Sequence, residues 1–286
     1  MSATARPAAH VAQDPPGVAR RRVERWRAGQ RSAFDDAVAE EVPVALVFND
    51  APFAVMMATP ADLDDFVLGF ALSEGVVARV EEVEVEAVDE LMEGVEVRAR
   101  IPPARAEALA RRRRNLSGRS GCGICGTEML EAALRHPPAV AADPRVEAGA
   151  LRGALQALRD AQVLAAATGA THAAGWADLD GTLRLVREDV GRHNALDKLI
   201  GAMAVAGVDP AAGFCVVTSR ASYEMAMKAA SAGVGLLAAI SAPTALAISL
   251  AERCRLTLVG FARDDGHAVY THPQRLRHDR ADAHQD

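Results

Sequence analysis

The stretch that decides the fold is Gly213–Phe261, GFCVVTSRASYEMAMKAASAGVGLLAAISAPTALAISLAERCRLTLVGF. Three short apolar runs, at 213–218, 235–240 and 255–261, alternate with two helical segments, 221–232 and 243–253. Runs without polar alternation read as strands covered on both faces, and strands separated by helices read as parallel neighbours. Just upstream lie a helix at 192–205, strands near 170–177 and 182–187 about the turn Asp180-Gly181, and a long Ala/Leu helix from 148 to about 168. Together these predict an α/β domain with a mixed sheet over residues 148–272.

Before this domain the periodicity is different. Residues 42–48 and 53–58 read as a hairpin around Asn49-Asp50-Ala51-Pro52. Thr59-Pro60 reads as the capped start of a helix, with Asp62 in its first turn and Gly75 near its end. Strands at 81–89 and 94–101, about a Glu-Gly turn, precede a helix from Pro103 to Arg114. These elements predict a small α+β domain over 36–135 with a mostly antiparallel sheet. The proline-rich stretch 136–147 reads as a linker. Residues 1–35 are expected to be a disordered, basic lead-in, and 273–286 a polar tail.

The composition narrows the function classes. Half of the 286 residues are hydrophobic, so a large core is available, and the net charge of −6 carries no polyanion-binding signature. No apolar run suits a bilayer, and no secretory leader is visible. The expectation is a soluble cytoplasmic protein with no membrane and no nucleic-acid partner. The chain has thirty arginines but only two lysines, Lys198 and Lys228. A sequence so biased toward arginine places lysine where a compact ammonium is needed.

Asn115-Leu-Ser-Gly-Arg-Ser-Gly-Cys-Gly-Ile-Cys-Gly126 sets Cys122 and Cys125 three residues apart, with glycines at 118, 121, 123 and 126. Arg111 to Arg114 and Arg119 make the surroundings cationic, which favours thiolate over thiol. Thr127 opens a helical segment, and a helix start lowers a neighbouring thiol pKa further. The pattern reads as reactive sulfur on a mobile arm. Structural zinc would need two more ligands, whereas Cys215 and Cys254 are isolated and lie in apolar surroundings. A thioredoxin-like pair would follow a strand, and here a basic helix precedes it.

A second constellation lies at three strand-to-helix corners: Arg187–Asn194, Thr218–Glu224 and Ser241–Thr244. Ligands of open α/β sheets bind beyond the carboxyl ends of the strands, where helix N-termini offer free N–H groups to anions. Hydroxyl and amide side chains at such positions are ordinarily caps. Three corners that also hold Arg192, His193, Ser219 and Arg220 point instead to an anionic, nucleotide-containing ligand. Neither GxGxxG nor a Walker A motif occurs.

The ordered set of motifs resembles the FdhD family, sulfur carriers required for formate dehydrogenase activity. It comprises Thr59-Pro-Ala-Asp-Leu with Gly69-Phe70 and Glu74-Gly75, Gly121-Cys-Gly-Ile-Cys-Gly126, Thr171-His-Ala-Ala, Glu188-Asp-Val-Gly-Arg-His-Asn-Ala-Leu-Asp-Lys198, Thr218-Ser-Arg220, Ser241-Ala-Pro-Thr244, Gly260-Phe-Ala-Arg263 and Tyr270-Thr271, across roughly 40–272. The resemblance implies a sulfurtransferase that receives persulfide sulfur from a cysteine desulfurase and passes it to a bis-(molybdopterin guanine dinucleotide) molybdenum cofactor. That cofactor is the bound substrate, GDP is its mimic, formate dehydrogenase is the client, and the assembly is a homodimer. By residue match, Cys122 carries the persulfide, Cys125 partners it, and Phe261, Ala262, Arg263, Asp264, Asp265 and Gly266 match the cofactor-binding segment. The family's C-terminal half is similar to the cytidine deaminase fold. Deaminase chemistry is not expected, because His172 is followed by Ala173-Ala174 and the CxxC lies in the other domain. Two alternatives stay open: a cofactor-binding chaperone without sulfur transfer, and a zinc-dependent hydrolase using Cys122, Cys125 and His172 or His193.

Overall fold

The structure, a computed structural model, describes residues 14–117 and 137–278. The C-terminal domain is a six-stranded sheet in the order β13-β12-β11-β10-β8-β9. Its strands are β8 (His172–Asp178), β9 (Leu183–Asp189), β10 (Gly213–Val217), β11 (Leu236–Ala239), β12 (Thr257–Arg263) and β13 (Gly266–Val269). β10, β11 and β12 run parallel, while β8, β9 and β13 pair antiparallel to their neighbours. The alternation along β10 shows why its sequence is wholly apolar. Phe214 and Val216 face α3 (Ala148–Ala161), and Cys215 and Val217 face the opposite layer of α5 (Arg192–Val205), α6 (Tyr223–Ser231) and α7 (Ala245–Arg253). The mixed α/β sheet expected from 213–261 is therefore present, with one strand more than expected: β13 folds back on β12.

The long Ala/Leu helix is two helices. α3 buries Ala148, Leu151, Ala154, Leu155 and Leu158, one stripe at helical spacing. The chain leaves helical geometry at Gln162, and α4 (Val163–Thr168) starts afresh. The new start is stabilised from outside, because the Glu188 carboxylate accepts the N–H groups of Leu164 at 2.8 Å and Ala165 at 2.9 Å.

The N-terminal domain is a four-stranded sheet, β4-β3-β6-β5, built from β3 (Val42–Phe48), β4 (Ala51–Ala58), β5 (Glu84–Leu91) and β6 (Gly94–Arg100). Its central pair, β3 and β6, is parallel, and the outer pairs are antiparallel. Helix α1 (Leu63–Ser73) covers one face with Phe66, Val67 and Phe70, all nearly inaccessible. Each such side chain contributes about 1.5–3 kcal/mol through burial. Gly75, in left-handed conformation, ends α1, and the N–H of Val76 returns to the Ala71 carbonyl at 2.8 Å. Helix α2 (Pro103–Ser117) leads toward the thiol segment.

Three sequence expectations are corrected. Within 1–35, residues from Val18 onward are paired: β1 (Val18–Arg27) and β2 (Gln30–Ala39) form an antiparallel hairpin about Ala28-Gly29, both at positive φ. Its strands are arginine-rich and mostly exposed on both faces, so no alternation marks them; Arg25 lies over the Phe34 ring at 4.1 Å. Residues 273–277 are not a free tail, because β14 (Leu276–Arg277) pairs with β7 (Val146–Glu147). Arg275, 1% exposed, donates to the Asp143 carboxylate and to the Gly235 and Arg255 carbonyls. The described part of the linker, 137–147, is accordingly docked on the domain, with Val140, Ala142 and Val146 buried.

Thr59 is the third correction. The N-cap of α1 is Asp62, in left-handed conformation and without a side-chain cap. Thr59 is fully buried and serves the contact between domains.

Candidate functional site

β9 through β12 run in one direction, so all three corners and Phe261 lie along one edge of the sheet, at the carboxyl ends of these strands. The corners are tied together by backbone pairing. Ala221 bridges Pro243, the N–H of Phe261 donates to the Ser241 carbonyl at 3.2 Å, and Ala173 N–H donates to Thr218 Oγ1 at 2.9 Å. Sequence spacing alone could not show that these loops share an edge.

The corners differ in chemistry. Helix α6 is capped by Ser222, whose Oγ accepts from Met225 N at 3.5 Å, and has Glu224 in its first turn; α7 is capped by Thr244 Oγ1, which accepts from Ala247 N at 3.3 Å. Helix α5 has neither a side-chain cap nor an acidic residue in its first turn, which holds Arg192 and His193. Cationic residues at a helix start oppose the macrodipole, and the first N–H groups there have no intrahelical partner. An anion would satisfy both.

Burial first, then the charge of Arg192, brings His193 down to about 4; Glu224 pulls the other way. Its Nε2 lies 2.8 Å from Glu224 Oε2 but out of line for a hydrogen bond, so that nitrogen and the Nε of Arg192 are buried without hydrogen-bond partners among the described residues. His172, at the start of β8, is held below the usual histidine range by burial and again by Arg192. Both imidazoles are therefore neutral near pH 7.

Phe261 is an exposed aromatic side chain on the edge. It is 45% exposed, holds φ at +50° and sits at the irregularity in the β12–β13 ladder. A bulky residue in left-handed conformation costs about 1–3 kcal/mol and marks functional positions. Arg263 also faces outward, whereas Ala262 is fully buried in the core. Ser219 is 4% exposed, with its Oγ donating to the Arg220 carbonyl, while Arg220 is exposed. Asp264 pairs with Arg159. The pair Cys122 and Cys125 lies outside the described residues. Among the described residues no cluster of three His, Cys, Asp or Glu is arranged to hold a metal.

Much of the motif 188–198 is structural. The Asp189 carboxylate accepts from Thr59 N at 3.0 Å, Gly191 N at 2.7 Å and Asn194 Nδ2 at 3.0 Å, and pairs with Lys198 Nζ at 2.7 Å. Lys198 also donates to the Thr59 carbonyl, and Asn194 to the Met57 carbonyl. One turn on, Lys228 Nζ meets Asp197, Glu74 and Ser73 Oγ at 2.8–3.1 Å. Burial opposes the charge on Lys228, but Asp197 and Glu74 outweigh it and raise its pKa; burial lifts Asp197 against the pull of Lys228. Both lysines thus bridge the two domains. Helices α1 and α5 meet at bare glycines: a Cβ on Gly69 would lie 1.7 Å from the Asp197 carbonyl oxygen, and one on Gly201 1.9 Å from that of Asp65. Thr59, Ser73 and Glu74 have no local sequence signal for this role, because their partners lie more than a hundred residues away.

A groove of about 600 Å³, lined by Leu72, Val77, Ile200, Met203, Val208 and Pro210, adjoins the opposite end of α5 from Arg192. It is not part of the edge.

Fold and site define a two-domain α/β protein with a cationic, hydroxyl-bearing strand edge beside a charge-locked domain contact. The chain belongs to the FdhD/NarQ family, whose model matches residues 39–277. A sulfur carrier protein FdhD from Xanthomonas campestris pv. campestris (strain B100) is 62% identical over 91% of this chain and 93% of its own length. The sulfur carrier protein FdhD of Cupriavidus necator is 52% identical over 96% and 95%. A crystal structure from Desulfotalea psychrophila, of a protein described as a formate dehydrogenase accessory protein, superposes with a TM-score of 0.71 at 25% identity, covering 92% of this chain and all of that one. No helix among the described residues is long and apolar enough to cross a membrane.

Proposed function

We propose that this chain is a sulfur carrier in formate dehydrogenase maturation, acting as a sulfurtransferase in the cytoplasm. Relatives bearing the name sulfur carrier protein FdhD, at 52–62% identity over more than nine-tenths of the chain, support the sulfur role. In the proposed first step, the Cys122 thiolate attacks the terminal sulfur of a cysteine desulfurase persulfide. A new S–S bond forms on Cys122, and the desulfurase thiolate leaves. Cys125 assists from three residues away. The acceptor is the bis-(molybdopterin guanine dinucleotide) molybdenum cofactor, bound as substrate.

The observation that carries the ligand assignment is the first turn of α5, uncapped, free of acidic residues and bearing Arg192 and His193. It suits a nucleotide phosphate, with Arg220 and Arg263 on the same edge and exposed Phe261 offering a face for a base. Three measurements test the proposal. Mass spectrometry after incubation with desulfurase and cysteine should show one added sulfur atom per chain, absent in Cys122→Ala. A Cys122→Ala chain that still supports near-normal formate dehydrogenase activity would refute the assignment. Calorimetry should show GDP binding, and silence at millimolar GDP would remove the nucleotide site.

A further inference from the structure

Beside that edge, two histidines from separate segments of the chain meet. His267 lies on β13, and His278 directly follows β14. Their Nε2 atoms are 2.8 Å apart, the ring centroids 5.0 Å, and the ring planes are inclined by only 20°. The centroids are farther apart than the nitrogens by about the width of one ring, so the rings meet head to head and nearly coplanar rather than face to face. In that contact one ring donates an N–H and the other presents a bare nitrogen lone pair. Both rings aim a ligating nitrogen at the same point.

The two backbones are fixed independently of this contact. His267 is held by the β12–β13 ladder. His278 is held by its neighbours, since buried Arg275 and Leu276 anchor the chain and Leu276–Arg277 pair with Val146–Glu147. Ligands positioned by their own strands are prearranged for an ion.

We propose that His267 and His278 bind one divalent transition-metal ion of the class that prefers imidazole, Zn²⁺ foremost. The ion takes the place of the shared proton. Zinc–nitrogen bonds of about 2.0–2.1 Å at a tetrahedral angle put two ligand nitrogens roughly 3.3–3.4 Å apart, so the pair opens by about half an ångström and the rings swing out of their head-to-head line until both lone pairs meet at the ion. Among the described residues no third His, Cys, Asp or Glu joins them. Water completes the coordination. Arg152 on α3 is a cation close enough to His267 to disfavour added positive charge there. The inference is independent of the sulfur-carrier reading and uses none of its residues.

The test is calorimetric titration of ZnCl₂ into the full-length chain, without an affinity tag and with Cys122→Ser and Cys125→Ser to silence the thiols. One ion per chain is expected, with affinity reduced about tenfold or more by His267→Ala or His278→Ala. His278→Gln keeps a hydrogen-bonding group beside His267 while removing the imidazole. It should lose zinc without lowering the melting temperature, which separates ligation from folding. Absence of binding at millimolar zinc, or equal affinity in His278→Gln and its parent, overturns the proposal.

Discussion

Lys228→Met is the perturbation that most directly tests the domain contact. Lys228 is 5% exposed, and its ammonium is the cation within hydrogen-bonding distance of Asp197, itself fully buried. Methionine keeps the length of the side chain and removes the charge, leaving Asp197 with the Ser73 hydroxyl at 2.6 Å. Removing one partner of a buried pair costs about 3–5 kcal/mol, because the remaining charge stays desolvated. For a chain of this size each kcal/mol moves the melting temperature by about 2–4 °C, so the expected drop is about 6–20 °C. The loss should depend on pH with a definite sign. Burial raises Asp197 above the usual carboxylate range, and removing Lys228 removes the leading charge that opposes it. The folded variant then binds a proton that the unfolded chain has released, so its stability falls as pH rises through the folded pKa. The deficit is smallest in mild acid and grows toward neutral pH. The assay is urea and thermal unfolding followed by circular dichroism, in a double-mutant cycle with Asp197→Asn. The double variant should recover at least about 1 kcal/mol relative to the sum of the single losses. A loss below about 1 kcal/mol for Lys228→Met, or strict additivity, would refute the view that this buried pair of the C-terminal domain supports the contact with Ser73 and Glu74 of the other domain.

Gly201→Ala should destabilise by about 1–3 kcal/mol or more through overpacking, since its Cβ would lie 1.9 Å from the Asp65 carbonyl oxygen; an unchanged urea midpoint would count against the close helix contact. His193, at about 4 in the fold, should titrate by NMR far below ordinary histidines. Because its folded pKa is depressed, the unfolded chain binds the proton first, so its contribution to stability is full above about pH 6.5 and is lost as pH falls toward 4. Arg192→Ala should weaken GDP binding by about tenfold or more, the worth of one charge-assisted hydrogen bond. Thr244→Ala, which removes a helix cap, should lower the melting temperature and leave GDP affinity nearly unchanged; equal losses of affinity in both variants would argue against α5 as the phosphate seat.

The C-terminal domain was legible because its strands are buried on both faces. Phe214 and Cys215 need no polar alternation, and a short apolar run between helices has few other readings. β1 and β2 were not legible for the opposite reason. Their arginines point to water on both sides, and the pairing depends on a two-residue turn, Ala28-Gly29, that lacks the usual Asn-Gly signal. The break at Gln162 was hidden as well, because the acceptor that restarts the helix, Glu188, lies more than twenty residues away. Likewise, Thr59-Pro60 has the composition of a helix start, yet Thr59 is drawn into the domain contact and Asp62 takes the N-cap position.

For the site, the motif 188–198 mixes two jobs that its spacing does not separate. Asp189, Asn194, Asp197 and Lys198 face inward and hold the domains, while Arg192 and His193, on the same helix, open onto the edge. The lysine bias anticipated this division better than the motif did. An ammonium has three donors on one atom, and Lys228 places that atom among Ser73, Glu74 and Asp197. A guanidinium carries five N–H groups in a plane and would leave some of them unsatisfied in so small a buried space. A chain that writes arginine almost everywhere thus keeps lysine at two points where α1 and its preceding turn meet α5 and α6. The physical consequence is that the edge and the N-terminal sheet are held in one register by buried charge, and the first turn of α5, which needs neither lysine nor a cap of its own, remains free to face a ligand.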